Sequence, residues 1–202
     1  MGKHERDQDK KKQILISIVI SALMVFSVFG VFLGSQSSEL RYGKYKFKNN
    51  EAYPNERYVL KINKQEIPFY FMPQEVEFIN LSSAVTNKIK EAVFITTAFN
   101  PNSTSLQEIA LVNLHFSLYL KDSNGVNKII NQAVLQESPN YQLPVVSCAN
   151  ATLQTPVIVF NLSDTPSIVD DNNCIYFNGR GKDYLGVRDR LVYSYYGVIQ
   201  DE

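Results

Sequence analysis

Cys148 and Cys174 are the only two cysteines in a chain of 202 residues. A catalytic dithiol needs a low-pKa thiolate at a helix N-terminus with a resolving thiol one turn further on, the arrangement that Cys-x-x-Cys supplies. A separation of 26 positions does not supply it. In an oxidising compartment an even pair points to one disulfide, Cys148 with Cys174, and closing that loop would stabilise the fold by about 3 kcal/mol. The alternative is two buried free thiols. "GRGKDYLG", Gly179 to Gly186, follows an apolar run and opens a helical pattern. Backbone N–H groups at such a place bind phosphates. Here Tyr184 stands where G-x-G-x-x-G has its third glycine, so a turn with a helix cap fits better. His115 is the only histidine after position 4, and one histidine makes no metal site. "VDDNN" at 169–173 offers oxygen atoms without the spacing of a calcium loop. G-x-S-x-G, H-E-x-x-H and the Walker A pattern are all absent. These residues imply no catalytic residue, no metal and no cofactor.

The elements that must position these residues begin with "ILISIVISALMVFSVFGVFL", Ile14 to Leu33, an uncharged run of apolar character. Twenty helical residues cover about 30 Å, the thickness of a bilayer's hydrocarbon core. Lys3, Arg6, Lys10, Lys11 and Lys12 precede it, and an uncharged flank comes after it. The sequence thus predicts a single-pass cell-membrane protein with a cytoplasmic N-terminus and an extracytoplasmic C-terminal part. A cleaved signal peptide is the competing reading, although its apolar region is shorter, roughly 7–15 residues. Beyond the leader, residues 13–202 hold fifteen basic and seventeen acidic side chains, which gives no reason to expect nucleic acid as a partner. Four sequons, at Asn80, Asn102, Asn150 and Asn161, are glycosylation candidates.

Tyr45 and Phe47 alternate with lysines, which is strand periodicity. Leu60 and Ile62 lead into a polar turn at 63–65, with Ile67, Phe69 and Phe71 leading out, so a hairpin is expected. Pro68 marks its second arm as an edge. Residues 81–92 read as a short helix and 92–99 as a strand buried on both faces. Over 105–120 a helical face (Ile109, Val112, Phe116, Leu120) competes with a strand alternation, and the capping box Ser105 to Glu108 favours the helix. Strands are expected at 126–135, 156–160, 167–169 and 174–177. A closing helix places Tyr184, Val187, Leu191 and Tyr195 on one face before Gly197.

The order strand, helix, strand, loop, strand, strand, helix, together with "TPVIVFN" at 155–161, resembles the thioredoxin-like fold. That resemblance implies a cis peptide at Thr155–Pro156 ahead of the third strand, a β-hairpin after the linking segment, and a groove formed with the loop Asn100, Pro101, Asn102 and Ser103. The loop holds no cysteine, so the family's redox chemistry is not expected. A proline opening a strand in the ordinary trans state is the alternative. The chain is also broadly similar to single-span surface proteins of archaea.

The sequence therefore predicts an α/β protein: an N-terminal transmembrane helix, a small β-hairpin, then a thioredoxin-like three-layer domain. The expected boundaries are a leader at 1–12, a span at 13–34, a linker at 35–40, the hairpin with a short helix at 41–91, and the α/β domain at 92–202. The expected role is a non-enzymatic, redox-inactive binding or assembly module. Its expected partners are the membrane and a protein. The alternative is an accessory thiol–disulfide oxidoreductase using Cys148 and Cys174.

Overall fold

The computed structural model describes residues 16–24, 40–50 and 55–200. Residues 16–24 are helical (α1). Among the described residues no helix is long and apolar enough to cross a membrane. The rest of the span expected at 13–34 lies outside the described residues. The transmembrane helix, the single-pass topology and the extracytoplasmic placement that rested on it are corrected accordingly. The leader at 1–12 and most of the linker at 35–40 also lie outside them. The chain divides into two units, Met1–Leu40 and Arg41–Glu202. The boundary expected at 91/92 falls inside the second.

Two sheets build the second unit, where one small hairpin and one domain sheet are expected from the sequence. The first has four strands in the order β1 (Leu40–Tyr42), β2 (Tyr45–Asn49), β3 (Tyr58–Ile62), β4 (Gln65–Phe69). The pairs β2–β3 and β3–β4 are antiparallel. Asn63 and Lys64 form the two-residue turn between β3 and β4, both at positive φ (51° and 67°). Such turns match the twist of the strands they join. β4 is an edge strand, so the missing N–H of Pro68 breaks no ladder on its open side.

The second sheet has five strands in the order β6-β5-β7-β9-β8: β5 (Phe94–Phe99), β6 (Ile129–Val134), β7 (Val157–Leu162), β8 (Ser167–Asp171) and β9 (Cys174–Gly179). Only β8 runs antiparallel to its neighbour. This topology departs from the thioredoxin-like expectation. β7 pairs in parallel with β5 and with β9, so it forms no hairpin with the next strand in the chain; the hairpin is β8–β9. Among the described residues no peptide bond is cis, so Pro156 is trans. Its carbonyl accepts the amide hydrogen of Thr96 at 3.0 Å.

Helices α2 (Pro73–Val76), α3 (Ser83–Glu91), α4 (Leu106–Tyr119) and α5 (Asp183–Tyr195) complete the unit. α5 is the hub. Tyr193 stacks on Phe69 of the first sheet at 4.1 Å, and Phe47 meets both rings edge-on. Tyr184 packs edge-on against Phe160 of the second sheet at 5.3 Å. Each such pair is worth about 0.5–1.5 kcal/mol beyond the area it buries. Twelve of the thirteen α5 residues are buried, so the helix has no solvated face. It ends at Gly197 (φ 68°), where Gly197 N–H donates to Ser194 O and Val198 N–H to Tyr193 O, the Schellman arrangement. A Cβ added at Gly186 would meet Phe71, Val76 and Ile79 at ordinary contact distances of 3.7–3.8 Å, so this helical glycine is not required by close packing.

The face of the second sheet that carries Ala98, Ala133, Val157 and Val159 is covered by a loop instead of a helix. Leu135, Val146 and Ala151 of that loop pack on it. Cys148, in a short 3₁₀ turn of the loop, is joined to Cys174 at the start of β9, Cα–Cα 5.2 Å.

Candidate functional site

The loop Asn100–Ser103 and Pro156 do not form a groove. Thr96 is paired with Val157, so Pro156 sits at the N-terminal end of the parallel strands and the loop at their C-terminal end. Four residues of strand, Thr96 to Phe99, lie between them, a separation of about 16 Å. The loop spends its polar groups on itself. Asn102 N–H donates to Asn100 Oδ1 at 2.9 Å, and Ser103 N–H to Asn100 O at 3.0 Å. Ser105 does not cap α4 with its side chain; its Oγ accepts Gly181 N–H at 2.8 Å. Asp183 Oδ2 accepts Arg180 N–H at 3.2 Å. The amides of Arg180 and Gly181 are thereby occupied, and the "GRGK" turn does not cradle a phosphate through them.

The four sequon asparagines are exposed. Asn161 lies within β7 and its amide nitrogen donates to Asn178 Oδ1 at 2.7 Å. Asn150 Oδ1 accepts Ser147 N–H at 2.9 Å. Cys174 is 2 % exposed, and Cys148 Sγ lies 3.0 Å from the hydroxyl of Tyr176. Among the described residues no group of three metal-ligating side chains occurs.

A further convergence of titratable groups on a cavity was not signalled by any motif. A cavity of about 540 Å³ opens between α4, α5 and the segment after β4. That volume is within the usual range for small-molecule sites, roughly 300–1,000 Å³. Half-buried Glu56, Tyr70, Phe71, Glu108 and Leu111 line the cavity with buried Leu185, and exposed Arg57 and Lys182 stand at its rim. Glu56 is 18 % exposed and takes His115 Nε2 on its Oε1 at 3.0 Å. A carboxylate only accepts, so the proton belongs to Nε2. The Tyr70 hydroxyl lies near enough to the same carboxyl to lower its pKa as a hydrogen-bond donor. The rings of Tyr70 and Tyr119 flank the imidazole, each 5.7 Å away.

Behind this group lies a buried ion pair from the middle of α5. Arg188 Nη1 donates to Asp189 Oδ1 at 2.6 Å and to Pro68 O at 2.8 Å. Asp189 Oδ2 accepts the amides of Tyr70 and Phe71 at 2.8 and 2.9 Å. The acid thus satisfies backbone donors where β4 ends, and both side chains are fully buried. The guanidinium lies over the rings of Phe69 (5.3 Å) and Tyr119 (5.8 Å), while its Nε and Nη2 have no hydrogen-bond partner. Arg190 Nε donates to Ile79 O at 2.9 Å. These three charged residues bind the first sheet and α2 to α5.

The electrostatics arise from burial. Desolvation, reinforced by the Arg188 charge, holds His115 down to about 3, so the imidazole is neutral at ordinary pH. Desolvation raises the Glu56 carboxyl, opposed by Arg188 and by the Tyr70 hydrogen bond. Burial pushes Tyr70 up to about 12. It pushes Asp189 up to about 6, against the pull of Arg188 and the two amides. The arrangement is a carboxylate at the inner end of a cavity, held by two neutral donors and backed by a self-neutralising ion pair. It offers a fixed negative charge and no nucleophile beside a base.

Comparison with family models, with curated proteins and with solved structures found no match.

Proposed function

We propose that this chain is a non-enzymatic binding module whose ligand, a small molecule or a side chain of a protein partner, seats in the α4–α5–β4 cavity. One observation carries the reading: Glu56, nearly buried at the cavity's inner end, is positioned by His115 and Tyr70 instead of being left to a mobile surface conformation. Pre-organisation of one charged group in an otherwise apolar wall is how binding sites fix orientation. The thiol–disulfide alternative finds no support in the site. Both cysteines are engaged in one disulfide, Cys174 is buried, and a thiolate attacking from outside must reach a sulfur.

The test is a nuclear magnetic resonance screen of the protein with cationic, anionic and neutral small organic fragments. Binding is expected to shift the signals of Tyr70, Leu111 and Leu185 together. If no fragment of any charge class perturbs these three residues, the cavity is not a binding site and the reading is overturned.

A further inference from the structure

Resting on that reading, we infer that the group taken at the inner end of the cavity is a primary alkylammonium, with Glu56 as its counter-ion. Of the charged residues that line the cavity, Arg57 and Lys182 are exposed and Glu56 and Glu108 half-buried; Glu56 is held in place by buried His115, and Tyr70, Phe71, Leu111 and Leu185 supply the apolar lining. The two donors already on this carboxylate, His115 Nε2 and the Tyr70 hydroxyl, are both neutral. A carboxylate has about four acceptor positions, so two remain. Arg188 is the nearest buried cation, but its charge is matched by Asp189 at 2.6 Å and it does not line the cavity. Among the described residues no permanently charged cation forms an ion pair with Glu56, and burial raises its pKa.

An ammonium supplies what is missing. It is a compact charge with three donors. It suits a carboxylate beside an aromatic ring, since a cation over Tyr70 gains a further contribution from the ring's negative face. Leu111, Leu185 and Phe71 form the apolar wall that a methylene stem needs. The rim selects against polyamines: Arg57 and Lys182 stand exposed there, opposed only by Glu108. The far end of the ligand is therefore neutral or anionic. A free ω-amino acid and the lysine side chain of a partner protein both present this chemistry.

Calorimetric titration of the full chain with n-butylammonium, 6-aminohexanoate, Nα-acetyl-lysine amide, spermine and hexanoate tests the inference. Butylammonium is expected to bind and hexanoate not to. Loss of a charge-assisted contact in Glu56→Gln should weaken butylammonium by about ten- to a hundred-fold. Lys182→Gln, which removes a like charge from the rim, should improve spermine by more than it improves butylammonium. Of the two candidate sources, tighter binding of 6-aminohexanoate identifies a free amino acid, and tighter binding of the lysine amide identifies a partner's side chain. Equal binding of hexanoate and butylammonium to the parent protein overturns the inference without relying on any variant. If the fragment screen finds anionic or neutral fragments in the cavity but no cationic ones, the binding-module reading survives and the ammonium assignment does not.

Discussion

His115 donates from Nε2 to Oε1 of Glu56 across 3.0 Å, joining the middle of α4 to the segment that enters β3, 59 positions earlier. The bond has a consequence for acid stability. His115 is held at about 3 in the fold against 6.5 for the free side chain. In that window the unfolded imidazole binds a proton that the folded one refuses. Acidification therefore removes stability, by at most about 1.4 kcal/mol per pH unit. Asp189 works in the opposite sense. Raised from 3.8 to about 6, it takes up its proton in the fold first, so acidification through 6 adds stability. Raised Glu56 adds to the same side. His115→Gln deletes only the first effect. Urea unfolding near neutrality and at about pH 5 should show the variant gaining on the parent protein at the lower pH. An identical difference at both pH values would show that His115 titrates normally in the fold.

Asp189 is expected to be far less dispensable than its place in a "VRDRL" run suggests. Replacing it with leucine strands the Arg188 charge and leaves the amides of Tyr70 and Phe71 without their acceptor. Breaking one side of a buried pair costs about 3–5 kcal/mol. Arg188→Met together with Asp189→Leu removes both charges and should recover part of that loss, although the two amides stay unsatisfied. The measurement is the urea midpoint of the two single variants and the double one. Additive losses would mean that the pair acts as two independent residues.

This run also shows what a sequence pattern can reveal. Periodicity reported α5, its terminal glycine cap and most strands, because each depends on neighbours a few positions away, but it left α4 open between helix and strand. The face assignment of α5 was too narrow. Tyr184, Val187, Leu191 and Tyr195 form one stripe, but the helix lies between two sheets and buries Arg188, Asp189 and Arg190 as well. Charged residues opposite an apolar stripe read as solvated until something is known to lie over them. Glu56 carried no local signal, since its partners lie on α4 and at the end of β4. The helix at Ser105 was expected for a reason the structure does not use: its hydroxyl serves Gly181. Strand direction was also hidden. Element order does not fix whether β7 runs with or against β5, and that choice placed Pro156 and Asn100–Ser103 at opposite ends of the sheet.

The disulfide should matter to the loop-covered face of the second sheet. Cys148 and Cys174 close a loop of 26 positions and hold Val146 and Ala151 over Ala98, Val157 and Val159. Cys148→Ala combined with Cys174→Ala is expected to cost about 3 kcal/mol by loop-closure entropy. Thermal unfolding of the oxidised parent protein and the double variant measures it. Equal midpoints would show that apolar packing alone seats the loop.

Gly179 closes β9 and opens the turn into α5 with φ at +156°. A side chain there meets a fixed obstacle, because an added Cβ would lie 2.7 Å from Cβ of Asp183. The obstacle is the root of the side chain, which no rotamer change can move. Gly179→Ala must shift the first turn of α5 and with it the bond from Arg180 N–H to Asp183 Oδ2. Backbone strain of this kind costs on the order of 1–3 kcal/mol. Asp183→Ala keeps the obstructing Cβ and loses only the side-chain bond to Arg180 N–H, about 1 kcal/mol. Asp183→Gly removes the obstruction. Combining Gly179→Ala with Asp183→Gly should therefore destabilise by less than the sum of the two single variants, whereas Gly179→Ala with Asp183→Ala should not show that relief. Urea unfolding of the parent protein and the five variants separates the two cases, and strict additivity in both pairs would place the strain at the backbone of residue 179 alone.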